Sequence, residues 1–451
     1  MTEKGSAAIL VLIGETGKDR EPVNIIERAR TFVQSLWELA GRTGWDWKRC
    51  PSCGSMVTVR WGTYKRHPWY LEGRRLVRVQ RHKCYGCGRT YSERSPWLVG
   101  GSWYAREVHR CAIDHWQHGR TSLRRTAEFV RSWIGKQERY VMWCPLVALP
   151  PQEAGCHLGA STVHRWLDRA GCVAQQTVPG QLAGIASSET LGVDGLWARL
   201  KGKAQRVVLM TADSVSGLIW PPVIARGEQS EGPWSRLFAR AQQAGLDLDG
   251  LRAVTSDGAQ GVSAYLKRRL AWVHHQRCVW HIWRTLSSDI TQAASQAAQG
   301  LEGDAATQAR EQAKQDLTSH IHHVLDAKTY DQAEQALATL STLPLADKIA
   351  QTLNLHLDRL LLHTLDYCQG LQRVSPEWYW RDFRLRLSRG RNHRSDRRLE
   401  RAALVWAIYH NFTPAQYRSE RKRRYRHPGL SPLEVAGSPL QNLSYLDALG
   451  V

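Results

Sequence analysis

Three acidic residues sit where carboxylates could share one divalent metal site. Asp194 closes Leu-Gly-Val-Asp-Gly, Asp257 closes Val-Thr-Ser-Asp-Gly, and Glu400 stands at the start of a long apolar segment. Carboxylate oxygens are hard ligands that suit magnesium or manganese. Two such ions held about 4 Å apart can activate an attacking oxygen and stabilise a leaving one in an in-line displacement at phosphorus. The glycine after each aspartate is expected to let a substrate backbone approach closely. Other acids near the third position are Asp396, Asp382 and Glu377. The chain around these residues is strongly basic. It carries 62 Lys and Arg against 41 Asp and Glu in 451 residues, a formal charge of +21, and its isoelectric point is near 9.8. Positive surface attracts polyanions, and carboxylate-bound metal cuts or joins phosphodiesters, so the two features together point to nucleic acid.

The length implies several domains, and a hydrophobic fraction of 42% is ample for real cores. A membrane partner is not expected, because no apolar run approaches the roughly 20 residues a spanning helix needs. The apolar stretch Ala7 to Gly14 is too short and has no basic leader, which argues against a signal peptide. A cytoplasmic, nucleoid-associated location follows. Disulfides are rare there, so the ten cysteines read as metal ligands or buried thiols, and most of the twenty tryptophans as core. Gly14 to Asp19 fails as a phosphate-binding loop: its glycines are too close, and Asp19 stands where a Ser or Thr must bind magnesium.

The elements that must position the acids can be read along the chain. Residues 1–45 form an N-terminal helical segment. Residues 46–98 carry Cys50-Pro-Ser-Cys53-Gly and Cys84-Tyr-Gly-Cys87-Gly, with β-rich runs at Met56 to Trp61 and Leu76 to Gln80 between them. Two Cys-x-x-Cys knuckles give four thiolates for structural zinc, the layout of a zinc ribbon. Arg74, Arg75, Arg78, Arg81, His82 and Lys83 make its second half basic and suited to phosphate, with Arg78, Arg81 and Lys83 as DNA contacts. Residues 102–180 read as helical. One helix is expected from a capping residue at Thr121 through Val130. Another follows Gly159 with Ser161 as N-cap, burying Val163, Trp166 and Leu167 and presenting Thr162, His164, Arg165 and Arg169 outward. This is a helix-turn-helix pattern with an insertion between its helices, and the outward residues suit a major groove.

From residue 186 the pattern becomes three strands (Thr190 to Asp194, Ala204 to Asp213, Leu218 to Ala225), a helix (Pro233 to Gly245), a strand (Leu251 to Asp257), a helix (Gly258 to Leu270) and a strand (Ala271 to Arg277). That order is the RNase H-like layout, a mixed sheet with helices on its faces. Its first and fourth strands are neighbours, which brings Asp194 to Asp257. The core would run over 186–295, then an all-helical insertion over 296–376, then the rest of the core over 377–427 and a C-terminal tail over 428–451. The late segment is arginine-rich, with Arg389, Arg391, Arg394, Arg397 and Arg398 as further DNA contacts, and the tail Arg418 to His427 is again basic. A glutamate opening a buried helix, as Glu400 does, must be paired, protonated or metal-bound. Cys278-Val-Trp-His281 lacks a second half with metal-site spacing. It reads as a structural thiol and imidazole beside the active site, holding the insertion against the sheet. The fold class is therefore multidomain α+β: zinc ribbon, helix-turn-helix domain, and RNase H-like catalytic domain with an all-helical insertion.

Asp194-Gly, Ser256-Asp257-Gly, Cys278-x-x-His281, a helical insertion and a late glutamate, in that order, resemble the DDE transposases of the Mutator-like supergroup. The N-terminal Cys-x-x-Cys pairs, the helix-turn-helix and the late Leu430-Ser-Pro-Leu-Glu-Val-Ala436 are similar to bacterial insertion-sequence transposases of that type. The resemblance covers most of the chain from Cys50 onward. It implies Asp194, Asp257 and Glu400 as the metal-binding triad, with Mg2+ or Mn2+ at that site and Zn2+ in the ribbon. It further implies binding of terminal inverted repeats, cleavage of element ends, transfer of 3′-hydroxyls into target DNA, and a homodimer or larger assembly that pairs two ends. In many relatives an Asn-Asn or Thr-Asn pair precedes the glutamate; here the run is Arg391-Asn-His-Arg-Ser-Asp-Arg-Arg-Leu399, so the other late acids stay open as third ligand. Two other classes fit the same motifs: a catalytically silent, transposase-derived DNA-binding regulator, and a metal-dependent nuclease without strand transfer.

Overall fold

The computed structural model describes residues 49–93, 95–119, 121–134, 156–182, 184–185, 187–368, 371–373, 377–389, 393–414, 427, 429–438, 440 and 443–451. The expected N-terminal helix, the insertion between the helix-turn-helix segments, Arg391 and the basic run 418–426 lie outside them. The chain divides into two compact units, Met1–Arg106 and Glu107–Val451.

In the first unit β1 (Thr58–Arg66) pairs antiparallel with β4 (Val77–Cys84), and β4 with β5 (Thr90–Ser92). A small hairpin of β2 (Trp69–Tyr70) and β3 (Gly73–Arg74) lies between β1 and β4 in sequence. Arg78 and Arg81 are exposed on β4, while the Lys83 ammonium lies 4.4 Å from the Trp61 ring centre. His82 differs from the sequence expectation. It is 3% exposed and stacks on Tyr91, because alternation along β4 turns it inward between two outward cations.

Helix α1 (Arg106–Gly119) has its first residue at the boundary, and the second unit continues with α2 (Leu123–Trp133) and α3 (Ala160–Leu182). Ser122, one residue after Thr121, caps α2 by accepting from the Arg125 amide at 3.3 Å. Helix α3 starts one residue before Ser161, which lies inside its first turn. Val163, Trp166 and Leu167 are buried as the helical period requires, and Arg165 and Arg169 are exposed.

All five expected strands between 190 and 277 are present: β6 (Thr190–Ala198), β7 (Arg206–Asp213), β8 (Val223–Ala225), β9 (Ala253–Ser256) and β10 (His274–Arg277). Their order is β10-β9-β6-β7-β8, so the first and fourth are parallel neighbours. The third strand is shorter than its sequence suggests. Pro221 and Pro222 have no amide hydrogen to give the ladder, so Ile219 makes only an isolated bridge to Ala212 before β8 begins. Both faces of the sheet are covered. Leu196, Ala198, Val208, Met210 and Ala212 pack with Trp380 and Phe383 of α10 (Glu377–Arg389) and with Leu399, Ala403 and Trp406 of α11 (Asp396–Phe412). Strand residues of the opposite parity, Leu191, Val193, Val207 and Leu209, are fully buried too. Double burial is why β7 reads Val-Val-Leu-Met without alternation. Helices α4 (Glu231–Gln243) and α5 (Gln260–Arg269) pack on one another, with the Phe238 and Tyr265 rings stacked 4.7 Å apart.

Helix α6 (Val279–Ala297) leaves β10 directly and packs into one core with α7 (Gly303–Leu325), α8 (Tyr330–Ser341) and α9 (Asp347–Leu360). Two short helices, α12 (Pro432–Val435) and α13 (Tyr445–Ala448), each start with a complete capping box. None of the described helices is long and apolar enough to cross a membrane.

Helix α3 meets α11 at Gly171. A Cβ there would lie 2.4 Å from Arg401 Cβ and 2.9 Å from its carbonyl oxygen. Arg401, 8% exposed, is paired across the same contact with Asp168 at 2.8 Å. Helix propensity favours alanine over glycine by about 1 kcal/mol, whereas overpacking a rigid contact costs about 1–3 kcal/mol. Gly171→Ala therefore lowers stability, read as an earlier urea midpoint at unchanged slope.

Burial holds the His410 imidazole down to about 4, against the raising effects of the Gly217 carbonyl and Asp382 and with Arg386 adding to the depression. The unfolded chain thus binds the proton first. Stability from this group is complete above the free value of about 6.5 and is lost as pH falls from there through about 4. The melting temperature should fall over that interval, and His410→Gln should flatten the fall.

Candidate metal centre

Parallel pairing of β6 with β9 runs from Thr190↔Ala253 to Gly192↔Thr255. Continuing that register places Asp194 beside Asp257. Asp194 lies within β6 rather than at its end, as its pairing with Met210 shows. The strand continues to Ala198 because β7 pairs with it along its whole length. Asp194 is 1% exposed. Asp257 begins the turn after β9, and its Oδ1 accepts from the Ala259 amide at 2.8 Å.

The third member of the group is His281, in the first turn of α6. One ligand atom each from Asp194, Asp257 and His281 lies within 4.8 Å of the others. The sequence reading gave His281 a structural role because no cysteine or histidine pair complements it. The groups near it are instead two carboxylates, Asp194 on β6 and Asp257 in the turn after β9. Cys278, at the N-cap of α6, is buried, and its amide donates to the Ser256 carbonyl at 2.8 Å. The Val279 amide donates to the Arg373 carbonyl at 2.9 Å. The start of α6 is thereby fixed to the turn that carries Asp257.

That turn is held from behind. The Arg359 guanidinium of α9 donates to His275 Nδ1. With Nδ1 accepting, Nε2 carries the hydrogen and donates to Ser256 Oγ at 2.6 Å. Ser256 Oγ in turn accepts from the Gly258 amide at 2.9 Å. Burial, then Arg359 and Arg277, depress His275 to about 3, so it stays neutral and this hydrogen-bond direction is kept.

The glycines after the aspartates lie close against protein groups. A Cβ on Gly258 would lie 1.3 Å from Arg277 Nη1, and one on Gly195 would lie 2.1 Å from Glu228 Oε2. Arg277 is lowered by burial, with the Asp257 charge and Cys278 opposing. Glu228 follows β8 in a loop with no periodicity, and sequence reasoning missed it. It is 8% exposed. Burial raises its carboxyl, the Trp197 hydrogen bond lowers it, and the Asp257 charge raises it further.

Glu400 lies outside this group and is paired with Arg240, which also donates to the Pro222 carbonyl at 3.1 Å. Of the three outcomes open to a glutamate opening a buried helix, the structure shows pairing. Two of the other late acids have arginine partners as well: Asp396 with Arg206 at 2.9 Å, and Asp382 with Arg386. Arg394, Arg397 and Arg398 are exposed around the start of α11, and Arg398 depresses the half-buried His164 after burial itself. Arg389 ends α10.

In the first unit the sulfurs of Cys50, Cys53, Cys84 and Cys87 form a second group within 4.8 Å. Cys50 and Cys87 are 3.6 Å apart, as are Cys53 and Cys84. Tetrahedral thiolates at about 2.3 Å from zinc are about 3.8 Å from one another, so the four sulfurs fit a zinc ion. The Gly54 and Gly88 backbones adopt φ of 75° and 72° after each pair, which lets the chain turn behind the sulfurs.

No curated protein matches the chain. A family model described as Transposase, Mutator family, matches residues 220–345, well under half of the chain. The matched span contains Glu228, Asp257, Cys278, His281 and the helices up to α8; Asp194 precedes it and Glu400 follows it. The match supports a Mutator-like transposase, and with it a DNA-modifying enzyme that works on DNA.

Proposed function

We propose that this protein is a DNA transposase that binds the terminal inverted repeats of its element, cuts the element ends and transfers their 3′-hydroxyls into target DNA. The observation that carries this reading is the convergence of Asp194, Asp257 and His281 beside a five-stranded sheet in a chain of charge +21. The strand order supports an RNase H-like catalytic domain, and the Mutator-family match over 220–345 supports the reaction class.

Asp194, Asp257 and His281 would hold a divalent metal, with magnesium or manganese suited to the two carboxylates. A metal bound there polarises a phosphoryl oxygen and activates water or a 3′-hydroxyl. The protein's own groups fix the geometry: the ladder beneath Asp194, and the Arg359–His275–Ser256 chain behind Asp257. Glu400 is the late glutamate that the resemblance assigns to the triad, and joining the metal requires it to leave Arg240. Zinc in the four-cysteine site would order the ribbon, which together with α2 and α3 would grip the element ends. Arg78, Arg81 and Lys83, then Thr162, His164, Arg165 and Arg169, and then Arg389, Arg391, Arg394, Arg397 and Arg398 are the proposed DNA contacts. Pairing two ends calls for a dimer or larger assembly, acting in the cytoplasm at the nucleoid.

The test is cleavage and joining of the element's flanking DNA in Mg2+ or Mn2+, after gel shifts show that every variant binds DNA. Asp194→Ala and Asp257→Ala should abolish joined product, a loss of at least about a thousandfold, equivalent to about 4 kcal/mol of barrier. Joining that survives Glu400→Ala would move the third ligand to another acid. DNA binding without cleavage in either metal would favour the silent regulator, and nicks without joined product the nuclease. In the ribbon, wild type should carry about one zinc per chain by native mass spectrometry. Cys84→Ser should lose it and weaken binding to element ends.

A further inference from the structure

The loop between β8 and α4 carries a buried carboxylate, Glu228, which lies outside the 4.8 Å group of Asp194, Asp257 and His281 but in the field of Asp257. Its backbone is fixed at Glu228, whose carbonyl accepts from Trp234 Nε1 at 2.7 Å. Helix α5 closes on the loop at Gly261, where a Cβ would lie 2.3 Å from the Glu228 carbonyl oxygen and 2.4 Å from that of Ser230. This helix follows Asp257 and Gly258 almost at once, so the contact that places Glu228 is tied to the turn that places Asp257. The side chain is fixed as well. Trp197 Nε1 donates to Oε1 at 2.9 Å. Oε2 lies against Gly195, the neighbour of Asp194, where a Cβ would meet it at 2.1 Å. The β6–β9 ladder stops at Gly192↔Thr255, so Asp194 and Gly195 lie beyond it, at an edge of β6 that β9 does not pair. Gly195, Trp197, Trp234 and Gly261 thus converge on one buried carboxyl that sits in the field of Asp257. Facing carboxylates in a buried space repel one another, and a cation between them removes that cost.

We propose that Glu228 is a further carboxylate ligand of the divalent metal held by Asp194, Asp257 and His281. The proposal rests on the metal-centre reading above. It gives the centre a third acid that is anchored by indole and backbone contacts, whereas Glu400 must first be released from an arginine.

Mn2+ binding to the full-length, zinc-loaded protein, followed by electron paramagnetic resonance without DNA, tests this. Glu228→Gln should weaken Mn2+ binding by about ten- to a hundredfold with an unchanged far-UV spectrum and melting temperature. Glu228→Asp keeps the charge but draws it back by one methylene, and should show a smaller loss; it carries the test should the glutamine variant misfold. Glu302→Gln, an exposed acid at the start of α7, should bind Mn2+ as wild type does. Wild-type Mn2+ affinity in folded Glu228 variants, beside a large loss in Asp194→Asn and Asp257→Asn, would overturn the role of Glu228 alone. Wild-type affinity in the two aspartate variants as well would remove the metal centre itself.

Discussion

Thr190 to Gly192 hydrogen-bond in parallel to Ala253 to Thr255, and that three-residue ladder fixes where the acids meet. The two strands are far apart in sequence and joined through two further strands and a helix. A slip of one residue would turn Asp194 from one face of the sheet to the other and replace it beside Asp257 with Val193 or Gly195. The register is protected by burial. Leu191 and Val193 fill one face and Leu196 and Ala198 the other, all with 6% exposure or less. The hydrophobic effect acting on both faces of β6 thereby sets the position of a charged group that on its own would favour water.

The helical bundle after β10 contributes to the same end. Its first helix carries His281, and its last, α9, carries Arg359, which orients His275 against the Asp257 turn. A neutral imidazole that accepts at one nitrogen and donates at the other transmits orientation only while it stays neutral, and burial beside two guanidinium groups keeps it so. The bundle thus supplies both a candidate ligand and the support behind another. Helix α11 holds the opposite face, with Asn411 bonding both the amide and the carbonyl of Ile219 at 2.8 Å.

Much of this was legible in the sequence because it is written in local periodicity. The strands at Val207 to Met210 and Val254 to Ser256, the helix over Leu123 to Val130 and the two cysteine pairs each declare themselves within ten residues. What could not be read depends on contacts between distant segments. His281 has no complement under any local spacing rule, since the groups near it are the carboxylates of Asp194 on β6 and Asp257 in the turn after β9. Glu228 lies in Arg-Gly-Glu-Gln-Ser, a polar loop like many others, and acquires meaning only when Gly195 and Gly261 are seen to close on it. The sequence did require Glu400 to be paired, protonated or metal-bound, but Arg240 sits on a helix that no pattern links to α11. The two Asp-Gly steps were read for their small size, and the protein groups that lie against them, Glu228 and Arg277, come from segments distant in sequence.

A chain with 62 basic and 41 acidic side chains faces a particular difficulty in building a carboxylate site. Arginines outnumber the acids that could be kept for metal, and several acids are already taken: Asp382 by Arg386, Asp396 by Arg206, Glu400 by Arg240 and, on α3, Asp168 by Arg401. A carboxylate paired with guanidinium is a poor metal ligand until that pair breaks. Geometry can keep an acid available only by denying arginine access to it. Around Glu228 this is done with rings and glycines: one indole holds Oε1, a second holds the backbone, and two glycines bring strand and helix too close for a long side chain to enter. Arg277, whose pKa burial lowers and the Asp257 charge raises, is itself pressed against Gly258. The same excess of positive charge that attracts DNA thus explains why the acids of the centre need so much apolar scaffolding.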